Sequence, residues 1–124
     1  MKKSNDNYEI QIQIPNTEKI LILMLENEKE SILLSDLINT ACFNSKYSKE
    51  LDGNFITMYN KYKDEYDYFI ERLLGFRIEN EKDPYHGNIW VPYINKIKED
   101  WSFICQNNRI VTKQDGIELK YEIF

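Results

Sequence analysis

The residues of this 124-residue chain best equipped for chemistry are few: one histidine, His86, and two cysteines, Cys42 and Cys105. A thiol beside an imidazole is a nucleophile pair, because the ring takes the thiol proton, and Asp83 is placed in sequence to orient it. The contexts argue against that pairing. Cys42 follows Ala41 on the apolar side of a candidate helix, and Cys105 stands beside Phe103 and Ile104. Both settings predict burial, which raises a thiol's pKa and leaves it inert. His86 lies in Asp83-Pro84-Tyr85-His86-Gly87, a turn-like stretch that predicts an exposed ring. A zinc site would draw on the same three residues plus a carboxylate, without the close ligand pairs that structural zinc uses. No catalytic group, metal or cofactor is expected.

Carboxylates are plentiful, as in Asp64-Glu65-Tyr66-Asp67, but neighbouring acids on a helix point in different directions. The sequence therefore pairs none of them for acid–base work. The four glycines, at positions 53, 75, 87 and 116, stand singly and form no phosphate-cradling loop. Lys46, Lys49, Lys61 and Lys63 each have acids close by, and Arg109, Lys113 and Lys120 are too few for an electrostatic groove. Sixteen basic residues against 21 acidic ones give a formal charge of −5, so direct nucleic-acid binding is not expected. An acidic exterior suits the opposite arrangement, a basic groove on a protein partner.

The elements that must position these groups follow from periodicity. Tyr8, Ile10, Ile12 and Ile14 alternate with Glu9, Gln11 and Gln13, which predicts a strand with one buried and one wet face. Pro15-Asn16-Thr17 is turn chemistry. The continuous apolar run Ile20 to Leu25 predicts a second strand covered on both faces, and the two form an antiparallel hairpin. Ser31 or Ser35 caps a short helix through Leu37, Ile38 and Ala41; Ile32 to Leu34 reads equally as strand or helix start.

Phe55, Tyr59, Tyr62, Tyr66, Ile70 and Leu73 recur at three- and four-residue spacing, which predicts an amphipathic helix between an Asn54 N-cap and a Gly75 stop. Pro92 suits the first turn of another helix, with Ile94, Ile97 and Trp101 as its stripe. Arg109 to Lys113 reads as a strand, Asp115-Gly116 as a type I′ hairpin turn, and Ile117, Leu119, Tyr121 and Ile123 as the last strand. Residues 1–6 are expected to be a disordered tail and 7–124 one domain. The expected fold is α+β in two layers: an antiparallel sheet of the N-terminal hairpin and C-terminal strands, with two or three central helices packed on one face.

The opening hairpin and its following helix resemble the β-grasp, the ubiquitin-like arrangement, over about 35 residues and without a specific motif. The chain ends Ile123-Phe124, where conjugated ubiquitin-like proteins carry a glycine pair.

Two stretches stand out as binding candidates. Asp64, Glu65, Asp67, Tyr68 and Glu71 would share the polar side of the long helix, an acidic face bearing one aromatic. Tyr85-His86-Gly87-Asn88-Ile89-Trp90-Val91-Pro92-Tyr93 gathers rings beside glycine and proline, and Tyr and Trp dominate interface hot spots. The competing reading makes Trp90 and Tyr93 core plugs.

The profile is short, acidic and without a catalytic kit. In general character it resembles toxin immunity proteins and phage-encoded inhibitors of host-defence nucleases. The expected function is neutralisation of a larger enzyme by covering its basic surface. The alternatives are a ubiquitin-like adaptor and a small-molecule-binding or Cys/His-dependent enzyme. No apolar h-region follows Met1 to Asn7, and no run approaches the roughly 18 residues of a membrane span, so a cytoplasmic location without membrane contact is expected.

Overall fold

The computed structural model describes residues 7–60, 65–80, 86–99 and 109–123, and for 56–60 and 65–68 the backbone alone. The tail expected at 1–6, and Trp101, Phe103 and Cys105, lie outside the described residues.

The opening alternation forms the predicted hairpin. β1 (Asn7–Gln13) pairs antiparallel with β2 (Ile20–Glu26), Ile10 opposite Leu23. Its turn closes through the Ile14 amide, which donates to the Lys19 carbonyl at 3.0 Å. Thr17 adds a hydroxyl bond to the Ile14 carbonyl at 2.8 Å.

The ambiguity at 32–34 resolves into both readings. β3 (Ser31–Leu33) runs directly into α1 (Leu34–Ile38), and the Leu34 amide donates to the Arg109 carbonyl at 2.7 Å. A π-helical turn, Asn39–Phe43, extends α1, with the Asn44 amide reaching back five residues to Asn39. A further short helix, α2, spans Ser48–Leu51.

The fold expectation fails in the middle of the chain. The protein is mostly β, about half strand, and arranged in three sheets rather than one sheet under central helices. The predicted long helix is instead a hairpin, β4 (Asn54–Asn60) against β5 (Glu65–Leu73), with Phe55 opposite Ile70 and Tyr59 opposite Tyr66. Both arms are rich in aromatic and β-branched residues, which fit a pleated surface better than a helix. The helical spacing arose because Phe55, Tyr59, Tyr66, Ile70 and Leu73 of the two arms, with Tyr62 outside the described residues, happen to recur at three- and four-residue intervals.

Gly75 is not a helix stop either. Leu74 and Gly75 both have positive φ and form the two-residue turn from β5 to β6 (Phe76–Arg77), in the manner of a type I′ hairpin.

The helix expected from Pro92 is also a strand, β7 (Asn88–Ile94). Proline is tolerated there because of the direction its missing donor would face. The Pro92 carbonyl accepts from the Glu99 amide at 3.1 Å, on the side of the two-residue β8 (Ile97–Lys98). In an antiparallel strand N–H and C=O of one residue point the same way, so the ladder to the last strand loses nothing. Asn95-Lys96, both with positive φ, make the I′-type turn joining β7 to β8.

Asp115-Gly116, the strongest turn signal in the sequence, behaves differently. It connects β9 (Ile110–Thr112) to β10 (Ile117–Ile123), but the two strands enter different sheets, β9 beside β3 and β10 beside β1 and β7. Gly116 does not take a positive φ. Asp115 instead accepts from the Thr112 amide at 2.8 Å and from the Asn95 side chain at 2.9 Å, tying this turn to the β7–β8 turn.

The largest sheet runs β2-β1-β10-β7-β8, with β1 and β10 parallel and the other pairs antiparallel. Counted in chain order the strands lie 2-1-5-3-4, the order of a β-grasp sheet, with the β4–β5–β6 sheet inserted before the third. The inner face carries Tyr8, Ile10, Ile12, Leu23, Trp90, Ile94, Ile117 and Leu119, and α1 and the π-helical turn cover it with Leu34, Leu37, Ile38, Ala41 and Cys42. On the other face a second cluster forms where Phe69 and Ile78 pack on Ile89 and Val91 of β7. Glu99, the buried charge among the described residues, is paired by Arg109 Nε at 3.0 Å.

Candidate interaction surface

The described parts of the two stretches singled out in the sequence fall on different strands, β5 and β7. Asp64 and Tyr85 lie outside the described residues. The polar helix side expected to gather Glu65, Asp67, Tyr68 and Glu71 does not exist, since all four belong to strand β5. Glu71 is engaged locally: it accepts from the Asn54 amide group, and its carboxylate meets Arg77 at 3.2 Å.

Trp90 is core. It is 2% exposed, its indole N–H donates to the Phe76 carbonyl at 3.0 Å, and its ring lies 5.5 Å from that of Tyr121. Burying an indole requires a partner for its one donor, and Phe76, the first residue of β6, supplies it.

Tyr93 points to the opposite side of the sheet. Its hydroxyl donates to the Glu122 carboxylate, and Lys120 Nζ stands 4.5 Å from its ring centroid. Burial first, then the hydrogen bond and charge of Glu122 and the charge of Glu118, push its pKa up to about 12. Lys98 Nζ meets Glu122 at 3.8 Å. His86 is exposed, immediately before β7.

The thiol reading fails at Cys42. The residue is fully buried in the π-helical turn, and burial raises its pKa to about 12, far from a nucleophile's range. Cys105 lies outside the described residues. Among the described residues no three His, Cys, Asp or Glu side chains gather as a metal site would require, and no helix is long and apolar enough to cross a membrane.

The surface that does stand out was read in the sequence as core. Ile20, Ile22 and Met24 are 48%, 54% and 58% exposed, whereas Leu23 between them is 5% exposed. The run Ile20 to Leu25 is covered on its inner face alone. Its outer neighbours across the hairpin are Gln13, Gln11 and Glu9, in register with Ile20, Ile22 and Met24. Three large apolar side chains therefore form a stripe on the outermost strand, bordered by polar residues on β1. A contiguous exposed apolar stripe with a polar rim has the character of a contact surface.

The signal for it was present. β1 alternates strictly, so one sheet face had to be wet, and any strand paired to β1 shares that face. Continuous hydrophobicity in β2 then means exposed apolar residues unless a further layer covers them.

Acidic groups surround the two ends of β2: Glu18, Glu26, Glu28 and Glu30 are all exposed, against Lys19 and Lys29. No protein-family model, curated protein or solved structure matches this chain.

Proposed function

We propose that this chain works by binding another protein, and that its acidic exterior directs it to a partner with a basic surface, such as a nucleic-acid-processing enzyme or a toxin that it neutralises. The observation that carries this reading is the exposed stripe of Ile20, Ile22 and Met24 on the outermost strand of the main sheet. Apolar burial supplies the favourable term for association, and the exposed acids beside it bring a basic partner in and fix its orientation. The formal charge of −5 has the sign such steering needs.

A second reading, a ubiquitin-like adaptor, is favoured by the 2-1-5-3-4 strand order and by the same exposed sheet face. The two readings part at the partner's activity. An inhibitor abolishes it, while an adaptor leaves it intact.

Affinity capture from the source cell, comparing the native chain with Ile22→Asp, tests the shared premise. A partner held by the native chain, lost in the variant, and associating more slowly at high salt is the expected result. Equal capture by both chains, or no protein retained by either, overturns the proposal.

A further inference from the structure

We infer that the partner is received by strand addition: an extended segment of about seven residues, apolar at alternate positions and basic at both ends, pairs with the open edge of β2. This rests on the protein-binding reading above and adds the mode of contact and the chemistry of the occupant.

The backbone fixes which groups are on offer. The Ile14 amide bonds to the Lys19 carbonyl, so residues 14 and 19 form a hydrogen-bonded pair of the antiparallel hairpin. Such pairs alternate with non-bonded ones along the ladder. Stepping through the register, Ile12/Leu21, Ile10/Leu23 and Tyr8/Leu25 are bonded pairs. The amides and carbonyls of Leu21, Leu23 and Leu25 therefore face β1, and those of Ile20, Ile22, Met24 and Glu26 face outward. Among the described residues no strand pairs with that side of β2.

Edge strands of stable proteins are usually blunted by an inward charge, a proline, a bulge or a covering element. β2 has seven residues paired in unbroken register, no proline, and no charge before Glu26. An incoming strand would meet Ile20, Ile22 and Met24 on one face and the partly buried Leu21 and Leu25 on the other.

Charge selects the occupant. A second copy of this chain would have to pair its own β2 here, antiparallel, with outward amides facing one another. The three registers centred on residues 22, 23 and 24 carry Glu18 of one copy toward Glu26, Glu28 or Glu30 of the other. Like charges opposite one another destabilise a strand pair, so every such register is penalised at both ends. A segment with Lys or Arg at its ends meets the same carboxylates favourably.

The test uses the full chain and a labelled peptide, Arg-Lys-Val-Thr-Val-Thr-Val-Lys-Arg, followed by fluorescence anisotropy. Met24→Ala and Met24→Pro both shorten the side chain, but the proline alone also removes an outward amide. Proline at such an edge position leaves the ladder to β1 whole. Strand addition predicts that Met24→Pro binds about tenfold more weakly than Met24→Ala, the equivalent of a lost backbone hydrogen bond. It also predicts that a peptide with Glu at its four end positions does not bind.

Should Met24→Pro not fold, the pair Ile22→Pro and Ile22→Ala gives the same readout at the next outward amide. Equal affinities for the proline and alanine variants, absence of peptide binding, or self-association that the proline abolishes would each overturn strand addition. Ile22-dependent capture of a protein partner alongside such a result would leave the broader proposal standing.

Discussion

Two apolar segments of this chain exchange the roles that their composition suggests. Asn88 to Ile94, with Trp90 and Tyr93, has the ring content of an interface, yet Trp90 is 2% exposed and bonded through its indole to the Phe76 carbonyl. Ile20 to Glu26 has the continuous hydrophobicity of a buried strand, yet Ile22 is 54% exposed. The difference lies in position within one sheet. β7 is flanked by β10 and β8, and side chains from the inserted β4–β5–β6 sheet cover its outer face. β2 is an edge strand, and nothing among the described residues lies over its outer face in either hydrophobic cluster. Burial was decided by neighbours that lie far away in sequence.

The contrast is sharpest in mutation. Trp90→Ala removes a fully enclosed ring and its satisfied donor, and should lower unfolding free energy by about 3–5 kcal/mol in a urea titration. A loss near zero would mean that Trp90 is not core. Gly53→Ala comes next. An added Cβ would sit 1.9 Å from Cε1 of Phe43, whose ring packs edge-on against Phe55 at 4.7 Å. Displacing that ring should cost about 1–3 kcal/mol by the same assay, and an unchanged midpoint would show that the ring moves freely.

Asp115 tests the turn that joins the two sheets. Burial works to raise its pKa, but the hydrogen bonds from the Thr112 amide, Asn95 and the Thr112 hydroxyl, together with the charge of Arg109, outweigh it and hold the carboxyl below its ordinary value. A carboxyl with a depressed folded-state pKa contributes stability above the ordinary carboxylate range, and loses it as pH falls through the folded value. Asp115→Asn should therefore cost about 1 kcal/mol at pH 7, reduced by partial exposure, and close to nothing at pH 2. Equal losses at both pH values would contradict the assignment. The smallest effect belongs to the exposed stripe: Ile22→Ser should change stability by no more than about 0.5 kcal/mol, and a loss comparable to that of Trp90→Ala would erase the comparison.

What the sequence made legible was local. The opening hairpin was readable because strict alternation in β1 and the Pro15-Asn16-Thr17 turn agree with each other. The final strand was readable from the alternation of Ile117, Leu119, Tyr121 and Ile123 alone. Residues 54–73 were misread because aromatic side chains in two seven- to nine-residue arms fell into helical spacing, and periodicity outweighed their β-forming composition. Pro92 was misread because its tolerance in β7 depends on which side of the strand its absent N–H would face. Asn95-Lys96 and Leu74-Gly75 form the tight turns with positive φ, while Asp115-Gly116, the stronger signal, joins strands of different sheets.

The expected binding residues depend on the same elements. Trp90 went to the core and Tyr93 to a bonded position on the outer face, and the helix face proposed for Glu65, Asp67, Tyr68 and Glu71 disappeared with the helix. The stripe at Ile20, Ile22 and Met24 needed one further inference, that a wet face on β1 continues across its partner.

Amide hydrogen exchange of the free chain, resolved residue by residue, tests whether the edge of β2 is open, as strand addition requires. An alternating pattern along β2 is expected: Leu21, Leu23 and Leu25 exchange slowly because their amides bond to β1, while Ile20, Ile22 and Met24 exchange near the rate of an open chain. Uniform protection from Ile20 to Leu25 would mean that the edge of β2 is already paired, and no open edge would remain to receive an added strand.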